Sequence, residues 1–130
     1  MIKTKSVSSP IQSRIDGLRI LATRFRGRGL PKSRYDIWMP NLGPSQRLLA
    51  DFQAEKITWG EFSRCYRAEL YEGGSIDQRN PLIKNHGQKF TLRLLQELGR
   101  RGHLTVLCHC DEDQAHCHRH LLAKVLGREI

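Results

Sequence analysis

A chain of 130 residues with 22 Lys and Arg, 13 Asp and Glu and a net charge of +9 has the length of one domain, residues 1–130. It is long enough to bury a core without help from a disulfide or a metal. Its mean hydropathy of −0.53 suits a globular domain, and the absence of any apolar run near ~18 residues excludes a membrane-spanning helix.

The first ten residues, MIKTKSVSSP, contain no apolar core of signal-peptide length, so the expected location is the cytoplasm. The four cysteines are then expected as thiols or metal ligands and not as disulfides. A pI near 9.9 favours anionic partners: phosphorylated metabolites, nucleotides or nucleic acid. No nucleic-acid-binding motif accompanies that charge.

In chain order, Ile2 to Val7 alternates apolar and polar residues, as a short strand does, until Ser8-Ser9-Pro10 breaks it. Residues 11–17 read as a connection with a turn at Asp16-Gly17. Leu18 to Thr23 is an apolar run of strand length. It leads into Arg24-Phe25-Arg26-Gly27-Arg28-Gly29. Glycine allows close backbone approach and arginine offers a forked donor, so this loop reads either as an anion cradle or as a solvated basic turn.

Lys32 to Met39 is expected as a short helix with Ile37 and Trp38 turned inward. Pro44 suits the first turn of a helix from Ser45 to about Ala54, with Leu48, Leu49 and Phe52 on its apolar stripe. Thr58-Trp59-Gly60-Glu61 is a capping box. The helix behind it carries Trp59, Phe62, Tyr66 and Leu70 inward, with Cys65 as a small core residue, and ends at Glu72-Gly73-Gly74. Residues 77–87 are polar and irregular, with a break at Asn80-Pro81 and a solvated His86. A helix over about 88–101 presents Thr91, Leu94, Leu95 and Leu98, with Gly102 at its end and a solvated His103 beyond. Leu104 to Cys108 is a buried strand, and the last helix carries Leu121, Leu122, Val125 and Leu126 up to Gly127.

Uniformly apolar strands separated by helices predict an α/β fold: a small, mostly parallel sheet flanked by helices, with a helical insertion between the second and last strands. Parallel strands would open the Arg24–Gly29 loop and the Cys108–His118 loop on one edge of the sheet, where such folds bind ligands.

Three of four cysteines and four of six histidines lie between Cys108 and His120. Three readings compete for them. In the first, the start of the last helix attracts an anion bound by Arg24, Arg26, Gly27 and Arg119. Cys108, Cys117 and His118 then act as catalytic or orienting groups. The phosphatase and rhodanese loop is disfavoured, because it places Arg six positions after Cys; positions 114, 116 and 123 hold Gln, His and Ala. In the second, Cys108, Cys110 and Cys117 with His116, His118 or His120 bind zinc; His116 and His120 share a helical face if the helix starts early enough. In the third, the cluster is structural, with Cys108 closing a buried strand. The acidic trio Asp111–Asp113 fits a helix start or a solvated loop. Nucleic-acid binding by a basic accessory protein remains a further alternative.

The segments LRILATRFRGRG, DIWMPNLGPSQRLLADF, ITWGEFSRCYRAEL and LTVLCHCDEDQAHCHRHLLAKVL together resemble domain-of-unknown-function family 488, the YeaO-like proteins, across roughly residues 2–126. The resemblance implies a compact cytoplasmic α/β domain with no settled activity. Its pattern falls on Arg24, Arg26, Gly27, Trp38, Cys108, Cys117, His118 and Arg119. Members carry a Trp-Pro-Arg-Gly type of loop, whereas Phe25-Arg26-Gly27 has no proline. Cys110, His109, His116 and His120 look like additions to that pattern.

Overall fold

The structure is a computed structural model that describes residues 1–71 and 88–128. The expected features at 72–74, 77–87 and His86 lie outside the described residues. Four strands, β1 (Ile2–Ser6), β2 (Leu18–Leu21), β3 (Ile37–Trp38) and β4 (Leu104–Cys108), form one sheet in the order β1-β4-β2-β3. All three pairings are parallel. The helices are α1 (Ser13–Asp16), α2 (Gln46–Gln53), α3 (Trp59–Tyr71), α4 (Lys89–Arg101) and α5 (His118–Leu126). Among them none is long and apolar enough to cross a membrane. The α/β expectation holds, and α2, α3 and α4 make up the helical insertion between β2 and β4.

β4 is the strand on which the sheet depends. It lies between β1 and β2, and all five of its residues are buried. This explains its largely apolar sequence, because a strand covered on both faces has no solvent side; the one polar side chain, Thr105, donates its hydroxyl to the Asp16 carbonyl at 2.7 Å. On one face Ile20, Leu104 and Val106 meet Leu121, Leu122 and Val125 of α5 and Phe62, Tyr66 and Leu70 of α3. Each such aliphatic side chain contributes about 1.5–3 kcal/mol on burial. Among the described residues the other face carries a small cluster of Val7, Leu21 and Leu107, against which Leu30 and Tyr35 pack.

The caps follow the sequence. Thr58 Oγ1 accepts from the Glu61 N–H at 3.1 Å, completing the capping box. Ser45 is the cap of α2, accepting from the Leu48 N–H at 3.2 Å. Two expectations need correction. Residues 32–39 do not form one helix: a single 3-10 turn over Lys32–Arg34 gives way to β3. There Ile37 and Trp38 are 46% and 38% exposed, since an edge strand beside β2 has no layer beyond it. α4 does not bury Leu94 and Leu98, which are exposed; it buries Leu92, Leu95 and Gly99. A Cβ at Gly99 would lie 2.4 Å from Ile2 Cγ1, so the helix approaches β1 through its one side-chain-free position. That contact sets its rotation.

Beneath the thin face, the buried Asp16 carboxylate is bridged by Lys3 and Lys5 at 3.0 and 3.1 Å. Burial alone would raise its pKa. The Gln12 N–H and the two ammonium groups outweigh burial and bring it down to about 2. A carboxylate depressed on folding stabilises above its unfolded pKa near 3.9 and loses that contribution as pH falls through the folded value. Stability is therefore expected to fall by roughly 2 kcal/mol between about pH 4 and pH 2. In Asp16→Asn this part of the acid dependence should be absent, as read by urea denaturation across that range.

Candidate metal centre

The strand β4 ends in a cysteine and α5 begins after one. Side chains two apart on extended backbone point the same way. Cys108 faces the main core with Leu104 and Val106, and the chain carries Cys110 back toward it. Cys117 is the cap residue of α5 and His118 its first helical residue. The strand–loop–helix joint thus folds the Cys108 and Cys117 sulfurs and the His118 imidazole into one place, with the Cys110 sulfur beside that of Cys108.

The sulfurs of Cys108 and Cys117 and a ring nitrogen of His118 all lie within 4.8 Å of one another, and all three residues are buried. The Cys108 thiol donates to the Cys110 sulfur at 3.8 Å, and Cys108 Sγ stands 3.9 Å from His118 Nδ1. His118 Nε2–H donates to the Ala22 carbonyl just beyond β2. That bond fixes the tautomer, so the Nδ1 lone pair is turned to the sulfurs. Burial lowers the His118 pKa from 6.5, against the pull of Ala22, and keeps the ring neutral at pH 7.

The thiols share charge unequally. Hydrogen bonds from Cys108 and Cys117 hold the Cys110 thiol well below the ordinary range. Cys108 is pushed up by donating to Cys110. Cys117 is pushed up by its bonds to Cys108 and Cys110 and by burial. Backbone hydrogen bonding from Cys110 and Arg119 pulls the other way on Cys108 and Cys117. Such donors favour the thiolate form.

Arg119 is 1% exposed. Its guanidinium donates to the carbonyls of Cys110, Asp111 and Glu112 at 3.0–3.2 Å, clamping the loop that carries Cys110. Its Nε is buried without a hydrogen-bond partner among the described residues. The Glu112 carboxylate in turn accepts from the Ser6 N–H and the Ser9 hydroxyl, tying the loop to the end of β1.

The remaining candidates fall elsewhere. His116 stacks on Trp59, ring centroids 4.8 Å apart, and His120 Nε2–H donates to the Gln114 carbonyl. Because α5 starts at His118, these two do not share a helical face, which corrects the i, i+4 expectation. Arg24 donates to the carbonyls of Gly43 and Pro44, and Arg26 to Tyr35 Oη and the Leu30 carbonyl. Gly27, at φ +90°, accommodates a ring: a Cβ there would lie 2.8 Å from His109 Cε1. His109 Nε2–H donates to the Phe25 carbonyl at 3.1 Å. The two loops therefore do meet at one edge of the sheet, through His109 and through His118 on Ala22. The contribution of Ala22 is a backbone carbonyl, and no side-chain pattern announces one.

A family model described as the active DUF488-N3 subclade matches residues 2–129. Neither the curated proteins nor the solved structures give a significant match. The chain belongs to the DUF488 family.

Proposed function

We propose that this DUF488 protein holds a zinc ion at the carboxyl edge of its sheet, with Cys108, Cys117 and His118 as the buried ligands and Cys110 as the fourth. The convergence of the donors carries this reading. A tetrahedral ion with metal–sulfur bonds of about 2.3 Å and metal–nitrogen bonds of about 2.05 Å separates two sulfurs by about 3.8 Å and a sulfur from a nitrogen by about 3.6 Å. The Cys108–Cys110 and Cys108–His118 separations are 3.8 and 3.9 Å. Thiolate and neutral imidazole suit zinc, and the Ala22 carbonyl on the far ring nitrogen is the outer partner such a ligand usually has. When bound, the ion neutralises the thiolates and locks β4, the 109–117 loop, β2 and α5 together.

Protein purified without an affinity tag is expected to contain about one zinc per chain by elemental analysis. A content of zinc or iron below about 0.1 per chain, with all four cysteines freely titratable, would overturn the proposal.

One observation favours a second reading, thiol chemistry in the metal-free protein. Cys110 is half-buried and holds its charge between two donor thiols. The description of the matching subclade as active is in keeping with it. Iodoacetamide would then alkylate Cys110 selectively, its sulfur displacing iodide, near pH 7. Equal labelling of all four cysteines would count against this reading.

A further inference from the structure

The thin face of the sheet carries a charge that the thiol centre does not use. Residues 1–38 contain nine Lys or Arg and only two carboxylates, which is +7 of the chain's +9. This segment supplies β1, β2, β3 and the Arg–Gly loop. Arg24 turns away to the Gly43 and Pro44 carbonyls, but Lys3, Lys5, Arg19, Arg26 and Arg34 are held about the thin face. Lys3 and Lys5 of β1 turn to Asp16 of α1, while Arg19 of β2 turns to Asp36 at 3.3 Å. Arg26 stands 5.5 Å over the Tyr35 ring that packs on this face, and Arg34 donates to the Val7 and Ser9 carbonyls. Carbonyl acceptors fix those guanidinium groups without neutralising them. Arg14, Arg28 and Lys32 are exposed.

Large apolar side chains stand open in the same region. Phe25 is 53% exposed and Trp38 38%. Thr23 bonds to both residues: its hydroxyl donates to the Phe25 carbonyl at 2.6 Å, and its carbonyl accepts from Trp38 Nε1 at 2.8 Å. Register pairs Trp38 with Leu21, which places it on the thin face. Exposed aromatic rings within an excess of cations supply the two components of a single-strand site: stacking platforms for bases and charge for the backbone.

We infer that the thin face of the sheet binds single-stranded nucleic acid, with Phe25 and Trp38 stacking on bases and Arg28 and Lys32 contacting phosphates. Duplex nucleic acid fits less well, because its bases are not free to stack on rings. The inference stands apart from the zinc proposal; it needs no residue of the thiol centre.

Fluorescence polarisation of a labelled 20-mer of dT, titrated with the full chain, tests it. Binding at 50 mM salt is expected, with the logarithm of affinity falling linearly against the logarithm of salt. Phe25→Ala removes an exposed ring and should weaken binding by about 5- to 100-fold, the range of one stacked base. Arg28→Gln with Lys32→Gln should make the salt slope shallower by roughly 1.4, about 0.7 per phosphate contact on a single strand. Arg47→Gln with Arg64→Gln, two exposed changes on α2 and α3, should leave affinity within twofold. Absence of binding at 50 mM salt would overturn the inference. So would a 20-base-pair duplex bound as tightly as the single strand, or a Phe25→Ala protein, folded by circular dichroism, that binds as well as the parent.

Discussion

Cys117→Ser is expected to abolish metal retention, taking zinc from about one per chain to below about a tenth. The residue is buried at the start of α5, within the set whose donor atoms lie inside 4.8 Å. An alcohol in its place is a poor zinc ligand at neutral pH, because zinc sites are built from deprotonated sulfur and neutral imidazole. The same variant should lose the stability that the ion confers. With free zinc at a hundred times its dissociation constant, that contribution is about 2.7 kcal/mol. Thermal unfolding of the parent should therefore shift downward on adding a chelator, and that of Cys117→Ser should not move. His116→Ala, which removes a ring stacked on Trp59 and no ligand, should keep its metal. If Cys117→Ser kept a full zinc complement, the ligand assignment would be wrong even if the protein binds metal.

Arg119→Met should be the most destabilising single change near the site, by roughly 3–5 kcal/mol. The guanidinium is enclosed and satisfies three carbonyls of one loop. Methionine fills a similar volume but leaves those acceptors without their donor. At an m-value of about 2 kcal/mol per molar, the urea midpoint should fall by roughly 2 M. Arg119→Lys should recover less than half of this, since one ammonium cannot copy the planar fork. An unchanged midpoint for Arg119→Met would mean that water takes over all three carbonyls.

The parts of this protein that could be read from sequence are those governed by a single local rule. Leu104–Cys108 is buried on both faces, and its largely apolar run says so. Thr58 and Glu61 cap each other within one turn, and the motif is local. β3 was hidden because a two-residue edge strand with exposed side chains has no periodicity to detect. The face of α4 was misread because its contact is made by Gly99, a residue that hydropathy does not score. Cys110 had a usable signal: it follows the strand end by only two residues, close enough for the turning chain to bring its sulfur back to Cys108. His116 and His120 carried a misleading one, since their spacing implies a shared face only if the helix has already begun. The arginines of the 24–29 loop are legible from sequence by charge and forked donors, and neither reveals which carbonyls will accept them.

The strand order has a consequence for how the chain acquires its structure. β1 and β2 are close in sequence but do not pair with each other; each pairs with β4, so Ile2 finds its neighbour in Leu104. Contacts spanning about a hundred residues give high contact order and slow folding. During synthesis the first two strands leave the ribosome with their partner still unmade. Their backbone groups and the apolar residues of β2 must wait for nearly the whole chain to emerge. Truncation within β4 should therefore yield an aggregation-prone chain instead of a smaller folded domain, even though most of the helices would still be present.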